Sequence, residues 1–294
     1  MKTLQLALLA LAPALSACGG RAVVASGAGV PWPVVEETWR TDPVWYDGKA
    51  EKAVYAATRI IYGRERSYDA TVYTNKQSMD PATSTKASGT AGERIEVFKH
   101  HWSERAPTEA YDYDFSTCTF TRVSDLSAFK LTAATQEDCG ASFKQVWIEP
   151  GTGMRFFESV YFPDAGVREG TLSSGDALPH FLDAMTLVLR DYPFQKPLDP
   201  VELSLVPSQK STRSRPLEPR VYRVTYGGAE EVRVPMGPFD THRLIVQAGD
   251  EDPLELWFST VNKTPGLNVL VKAEGTDARY ELRSHERTAY WKRP

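Results

Sequence analysis

The segment from Ala110 to Arg122 (AYDYDFSTCTFTR) alternates almost without a break. Tyr111, Tyr113, Phe115, Thr117 and Thr119 fall on one side, and Asp112, Asp114, Ser116, Cys118 and Phe120 on the other. A period of two marks an extended strand with two distinct faces. It does not fit a helix, whose apolar residues recur every three to four positions. Such a strand leaves its N–H and C=O groups unpaired until neighbours flank it. The chain must therefore build a sheet around this segment.

Candidate neighbours follow on both sides. Ser67 to Asn75 sets Tyr68, Ala70 and Val72 against Asp69, Thr71 and Tyr73. Ala53 to Ile61 reads as a strand or a short helix. Arg94 to Glu104 predicts a strand with Ile95, Val97 and Lys99 on one face, and Met79 to Gly92 reads as a loop. Lys144 to Ile148 and Arg155 to Phe162 are two more strands, with a turn at Gly151-Thr-Gly153. From Val221 to Trp291 six strand-like runs are separated by turns at Gly227-Gly228, Gly237-Pro238, Gly249-Asp250, Thr264-Pro265-Gly266 and Gly275-Thr276. Spacing of about ten residues predicts an antiparallel meander.

One segment has helical spacing. From Asp176 to Tyr192, Leu178, Phe181, Leu182, Met185, Val188, Leu189 and Tyr192 form one stripe, with Asp176 as cap and Pro193 as stop. A stripe this apolar needs cover, most simply the face of a sheet. The expected fold is mainly β, an incomplete antiparallel β-barrel or strongly curved sheet, with one amphipathic helix covering a face. Residues 34–294 are expected to form a single β-rich domain, entered around Trp39 and Trp45. The segment 193–219, rich in proline, is expected to be a linker or long surface loop. Hydrophobic residues make up 41% of the chain, enough for a core, and the formal charge is −4. Without a basic excess to neutralise phosphates, nucleic acid is excluded as a partner class.

At the amino end, Lys2 precedes an apolar run from Leu4 to Leu15, broken by Gln5 and Pro13. The run is shorter than the ~20 residues of a membrane span and suits an export signal. No later run reaches that length, so the remainder is expected to be soluble. Leu15-Ser16-Ala17-Cys18 resembles the lipobox of bacterial lipoproteins. The resemblance implies a signal peptide over 1–17 and acyl chains, such as palmitate, on Cys18. It implies a tether over 18–33 and anchorage in the cell envelope. Gly19 and Gly20 stand where Asp would retain a lipoprotein in the inner membrane, which implies the periplasmic face of the outer membrane. With Cys18 lipidated, Cys118 and Cys139 remain. They are expected to form a disulfide, worth about 3 kcal/mol for a loop of this length, in preference to two buried thiols.

Motifs of catalysis are sparse. There is no G-x-S-x-G, H-E-x-x-H or C-x-x-C and no phosphate-cradling glycine loop. Ser127-Ala-Phe-Lys130 matches S-x-x-K without its companion motifs. His100 and His101 should point to opposite faces of a strand. His180, His242 and His285 are isolated. Asp112 and Asp114 share a face about 7 Å apart, on a side expected to be solvated. Gly249-Asp-Glu-Asp252 is an acidic turn lacking the spaced oxygens of an EF-hand loop, and Asn262-Lys-Thr264 matches a glycosylation sequon. No catalytic residue, metal site or cofactor is assigned.

Two further stretches carry resemblances. Gly237–His242, Leu254–Phe258, Leu267–Lys272 and Tyr280-Glu-Leu resemble exported bacterial proteins of unknown function with a half-open β-barrel. That architecture is similar to lipoprotein carriers and receptors of the Lol type, in which a curved sheet and a lid helix enclose acyl chains. Thr135–Gly140, with Phe143 and Gln145, is similar to a segment of exported proteins whose names mention septum formation, and implies no activity. The expectation is a non-enzymatic envelope lipoprotein that binds an apolar or amphipathic ligand between sheet and helix. Tyr111, Tyr113, Phe115, Trp147, Phe181, Met185 and Trp257 are the candidate liners. The alternative is a structural or interaction subunit with a filled core and an envelope protein as partner; an enzyme comes third.

Overall fold

The computed structural model describes residues 23–24, 30–32, 39–88, 92–149, 153–163, 165–173, 178–260 and 267–292. The apolar leader, Cys18, Asp176, the Asn262–Thr264 sequon and the turn at 264–266 lie outside the described residues. The strands in chain order are β1 (Val23–Val24), β2 (Ala50–Ile61), β3 (Arg64–Asp80), β4 (Thr85–Lys86), β5 (Ile95–Pro107), β6 (Asp112–Arg122), β7 (Ala128–Glu137), β8 (Gly140–Glu149) and β9 (Gly153–Val160). They continue as β10 (Gly166–Leu172), β11 (His180–Phe181), β12 (Val201–Val206), β13 (Arg220–Val234), β14 (Gly237–Gln247), β15 (Leu254–Ser259), β16 (Leu270–Glu274) and β17 (Ala278–Thr288).

Nearly all of these strands pair in an antiparallel meander. One series runs β2, β3, β5, β6, β7, β8, β9, β10 and the other β12 to β17. A long ladder between β17 and β2, from Ala278↔Arg59 to Thr288↔Ala50, joins the two series into one curved sheet. β1 and β11 add short parallel pairs to the outer edge of β12. Among the described residues no ladder joins β10 to β12, so the barrel is incomplete, as the sequence predicted.

Up-and-down connectivity sorts the connections into two ends. The turns after β2, β5, β7, β9, β14 and β16, and the link from β12 to β13, lie at one end, called the mouth. The connections after β3, β6, β8 and β10, the start of β2 and the end of β17 lie at the other, called the base. At the base, Trp39 stacks on Phe98 with ring centroids 4.8 Å apart, and the Trp45 indole donates to the Trp39 carbonyl at 2.6 Å. Asp42 caps this turn by accepting from the Val44 N–H at 2.8 Å. The entry segment thus plugs the base.

The helical segment departs from expectation. His180 and Phe181 are extended and pair with β12; residues 182–184 and 189–191 form 3-10 turns around a four-residue helix, α1 (Met185–Val188). Met185, Leu187, Val188 and Leu189 are all fully buried. The segment therefore lies inside the curve of the sheet rather than upon one face, with Leu182, Asp183 and Thr186 left partly exposed along one flank. Arg190 anchors its lower end: the guanidinium donates to both oxygens of buried Glu51, at 2.8 and 3.1 Å, and to the Leu267 carbonyl at 2.7 Å. The 193–219 segment also differs from a simple loop, since it contains β12, whose Val201, Leu203, Leu205 and Val206 are core. Gly227-Gly228 is a bulge within β13 and not a turn; a Cβ on Gly227 would lie 2.6 Å from the crossing Arg243 side chain.

Candidate functional site

β5 places Phe98, His100, Trp102, Glu104 and Ala106 on the concave side, following the strand period. Glu104 is therefore a carboxylate on an apolar face, and its side chain has no solvent exposure. It accepts from Arg59 Nη2 at 3.0 Å, from Tyr68 Oη at 2.7 Å, from Tyr280 Oη at 3.1 Å and from Lys210 Nζ. Burial by itself raises this carboxyl; the charges of Lys210 and Arg59 and the hydrogen bonds outweigh it and hold the group at about 2. The Lys210 ammonium also lies about 5 Å from the Trp102 and Tyr280 ring centres, within cation–π range.

Above this network opens a cleft of about 530 Å³. Trp102 and Tyr280 form its floor, Leu182, Asp183 and Thr186 of the helical segment one wall, and Leu254 and Ala278 the opposite wall. Its lip is charged, with Arg215 on one side and Asp252 and Asp277 on the other.

Residues 207–219 form a strap across this end. Asp183 accepts from Ser208 Oγ at 2.5 Å and from the Gln209 N–H at 2.8 Å. From β8, buried Lys144 donates to the Gln209 and Ser211 carbonyls at 3.1 and 3.0 Å, and to the Arg213 carbonyl. Ser142 donates to the Thr212 carbonyl, and the Ser214 hydroxyl to Glu158 at 2.8 Å. The strap thus spans from the helical segment to β8 and β9, across the gap where no ladder closes the sheet. It also carries Lys210 into the cleft.

The seven expected liners do not converge here. Phe181 and Met185 are fully buried core. Beneath the lower part of the helical segment, beside Glu51, His100 and Arg190, lies a void of about 10 Å³, the size of one water. Tyr113 and Phe115 pack with Ile61 and Ala106 in a satellite cluster at the mouth. There Tyr111 Oη lies 3.4 Å from Tyr62 Oη. Trp147 and Trp257 point outward. Arg155 covers the first at 4.0 Å, and the second donates to Glu230 at 2.8 Å beneath Lys272.

The two cysteines are free. Cys118 lies midway along β6, whereas Cys139, in the β7–β8 turn, touches Tyr111 Oη at 3.1 Å. Seven residues of extended strand separate those levels, roughly 20 Å, far beyond disulfide reach. The expected bond is therefore not formed, and of the two only Cys118 is buried.

His100 and His101 do face opposite ways: His100 bonds Thr74, Thr186 and Trp102 inside, His101 bonds Ser116 outside. Burial pushes His100 down to about 3, so it is a neutral core group. Ser127 and Lys130 serve different partners, Arg122 and the Ser84 carbonyl. Asp112 and Asp114 pair with exposed Arg105. Sequence reading missed Arg59, Glu104, Lys210 and Tyr280. The one legible signal was Glu104, an acid two residues beyond Trp102 on the same face.

No protein-family model matches this chain, and no curated protein matches it in sequence. Among solved structures it is similar to a β-barrel-like protein of a domain of unknown function, DUF1849, from Brucella abortus. The TM-score is 0.50 at 10% identity, covering 81% of this chain and 97% of that one. The likeness is one of fold, and it agrees with the half-open barrel that the carboxyl third suggested.

Proposed function

We propose that this chain is a lipid-anchored envelope protein that binds a small amphipathic ligand in the cleft at the mouth, without catalysis. The observation that carries the reading is the cleft itself. Its volume, about 530 Å³, falls within the range of small-ligand sites. Trp102, Leu182, Tyr222, Leu254, Ala278 and Tyr280 line it beside nine Asp, Glu, Lys and Arg side chains, a mixture that suits a molecule with an apolar body and a charged head. Core fills the space beneath Phe181 and Met185, so the ligand position moves from under the helical segment to its upper flank. The reading as a binding protein is supported by the state of the buried acids and bases. Glu104 is ionised and fully engaged, and His100 is neutral and bonded at both nitrogens, so neither is poised to exchange a proton near pH 7. Export and anchorage rest on the lipobox resemblance.

Titration of a dansyl-labelled fatty acid against the purified protein tests the cleft. Saturable binding that Leu182→Asp or Ala278→Trp abolishes, with the near-ultraviolet circular dichroism unchanged, is the expected result. Binding that neither substitution alters would place the ligand elsewhere. Absence of any uptake would favour the interaction-subunit reading.

A further inference from the structure

The two ends of the sheet differ in which chain segments they receive. At the base, the Val30 N–H donates to the Asp125 carbonyl, in the turn after β6. β1 pairs in parallel with the first residues of β12, Val23↔Val201 and Val24↔Glu202, and β12 runs from base to mouth. β1 therefore begins on the base side of this pairing. Only four residues separate Cys18 from Val23, a reach of at most about 18 Å for the whole step even if fully extended. The cleft, the strap and the charged lip stand at the opposite end.

Both ends carry large exposed aromatics, Tyr62 and Tyr161 at the mouth and three more at the base. Tyr46 is 63% exposed, Tyr290 45% and Trp291 49%. Tyr290 packs on Tyr73 with ring centroids 4.3 Å apart and on Trp291 at 5.0 Å, so the last two are held on the wall of β3. Tyrosine and tryptophan favour the boundary between lipid headgroups and water, where an apolar ring and a polar edge are both satisfied.

We infer that the molecule stands on a phospholipid surface by its base, with Tyr46, Tyr290 and Trp291 at the lipid–water boundary and the mouth of the cleft turned away from the bilayer. The inference rests on the reading of Cys18 as a lipid anchor, and a tether this short gives the base little freedom to leave the surface. A ligand then enters the cleft from the aqueous side, and not laterally from the membrane in which the protein is anchored.

The test uses the full chain with Cys139→Ser, matured in a bacterial envelope and reconstituted into phosphatidylethanolamine–phosphatidylglycerol vesicles. A polarity-sensitive dye is attached to Lys292→Cys at the base or to Asp277→Cys at the mouth. The expected result is a blue shift and protection from aqueous quencher at position 292, absent at 277. Loss of that shift on Trp291→Ala would assign it to the aromatic patch. Intact mass of the same preparation separates the two ideas. With acyl chains present, a dye at 292 that stays in water, or a dye at 277 that enters lipid, overturns the orientation while leaving the anchor. A mass without acyl chains overturns both.

Discussion

Glu104 sits where burial alone would keep a carboxyl protonated, and two cations and two phenols hold it ionised. Replacing it by Gln leaves Arg59 and Lys210 without a counter-charge, which is expected to cost about 3–5 kcal/mol, the usual penalty for breaking a buried pair from one side. Urea unfolding would show it. Lys210→Met should cost less in the Glu104→Gln background than in the wild type, because the two share one interaction. His100 makes a separate pH prediction. Its value in the fold, about 3, lies below the ordinary 6.5. As pH falls the unfolded chain binds the proton first, so stability is full above pH 6.5 and declines toward 3. Glu104 has the same sign over a lower window: its contribution is present above 4.5 and is lost as pH falls through about 2. The urea midpoint should therefore begin to drop below pH 6.5, before most carboxylates titrate. In His100→Gln, the slope between 6.5 and 4.5 should be flatter; an unchanged slope would remove His100 as the cause.

Among the elements, most strands were legible, but β7, β10 and β12 were not, nor was the connection that closes the mouth. Alternation in β3 and β6 named both faces, because a half-buried strand writes its environment with a period of two. It could not say which face is concave. Trp147 is an expected liner, yet the buried residues of β8 are Ser142, Lys144, Val146 and Ile148, a set no hydrophobic pattern selects. Leu187 carried the clue to the helical segment: it lies off the apolar stripe and is nonetheless fully buried, which fits a segment enclosed by sheet. The strap was illegible for a related reason. Its proline-rich sequence reads as a loop, and what fixes it are backbone carbonyls gathered by a lysine some 65 residues earlier. Lys144→Met removes all three of those bonds while keeping most of the side-chain volume. The strap should then open locally, and trypsin should cut after Lys210 or Arg213 well before the rest of the chain is digested, while the Arg215–Pro216 bond resists. Wild-type protein should resist at those sites. Equal resistance in the variant would show that Asp183, Ser142 and Glu158 suffice to hold it.

At the scale of the whole molecule, the β2–β17 ladder decides whether the two strand series are one unit. It pairs residues more than two hundred positions apart, such as Ala278 with Arg59, and closing so long a loop is repaid only by the contacts that follow. It also brings Tyr280 to Glu104, and with it the floor of the cleft. The helical segment touches both series: Thr186 bonds His100 on β5, and Arg190 bonds Glu51 on β2 and the Leu267 carbonyl. The main core is therefore shared by both series, and only the two small clusters around Phe120 and Tyr113 belong to the first alone. The intact protein should unfold in urea as one transition. Thiol labelling of buried Cys118, in a Cys139→Ser background, reports the first series, and labelling of Ala273→Cys, in a Cys118→Ser/Cys139→Ser background, the second; their midpoints should coincide. A chain ending at Asp277 lacks β17, exposing the edges of both β2 and β16 and leaving the Glu104 network without Tyr280. It should show no cooperative transition and no near-ultraviolet circular dichroism. If instead it kept a cooperative transition with Cys118 protected, the β2–β10 series would be a domain by itself, and the cleft would lie between two domains rather than within one.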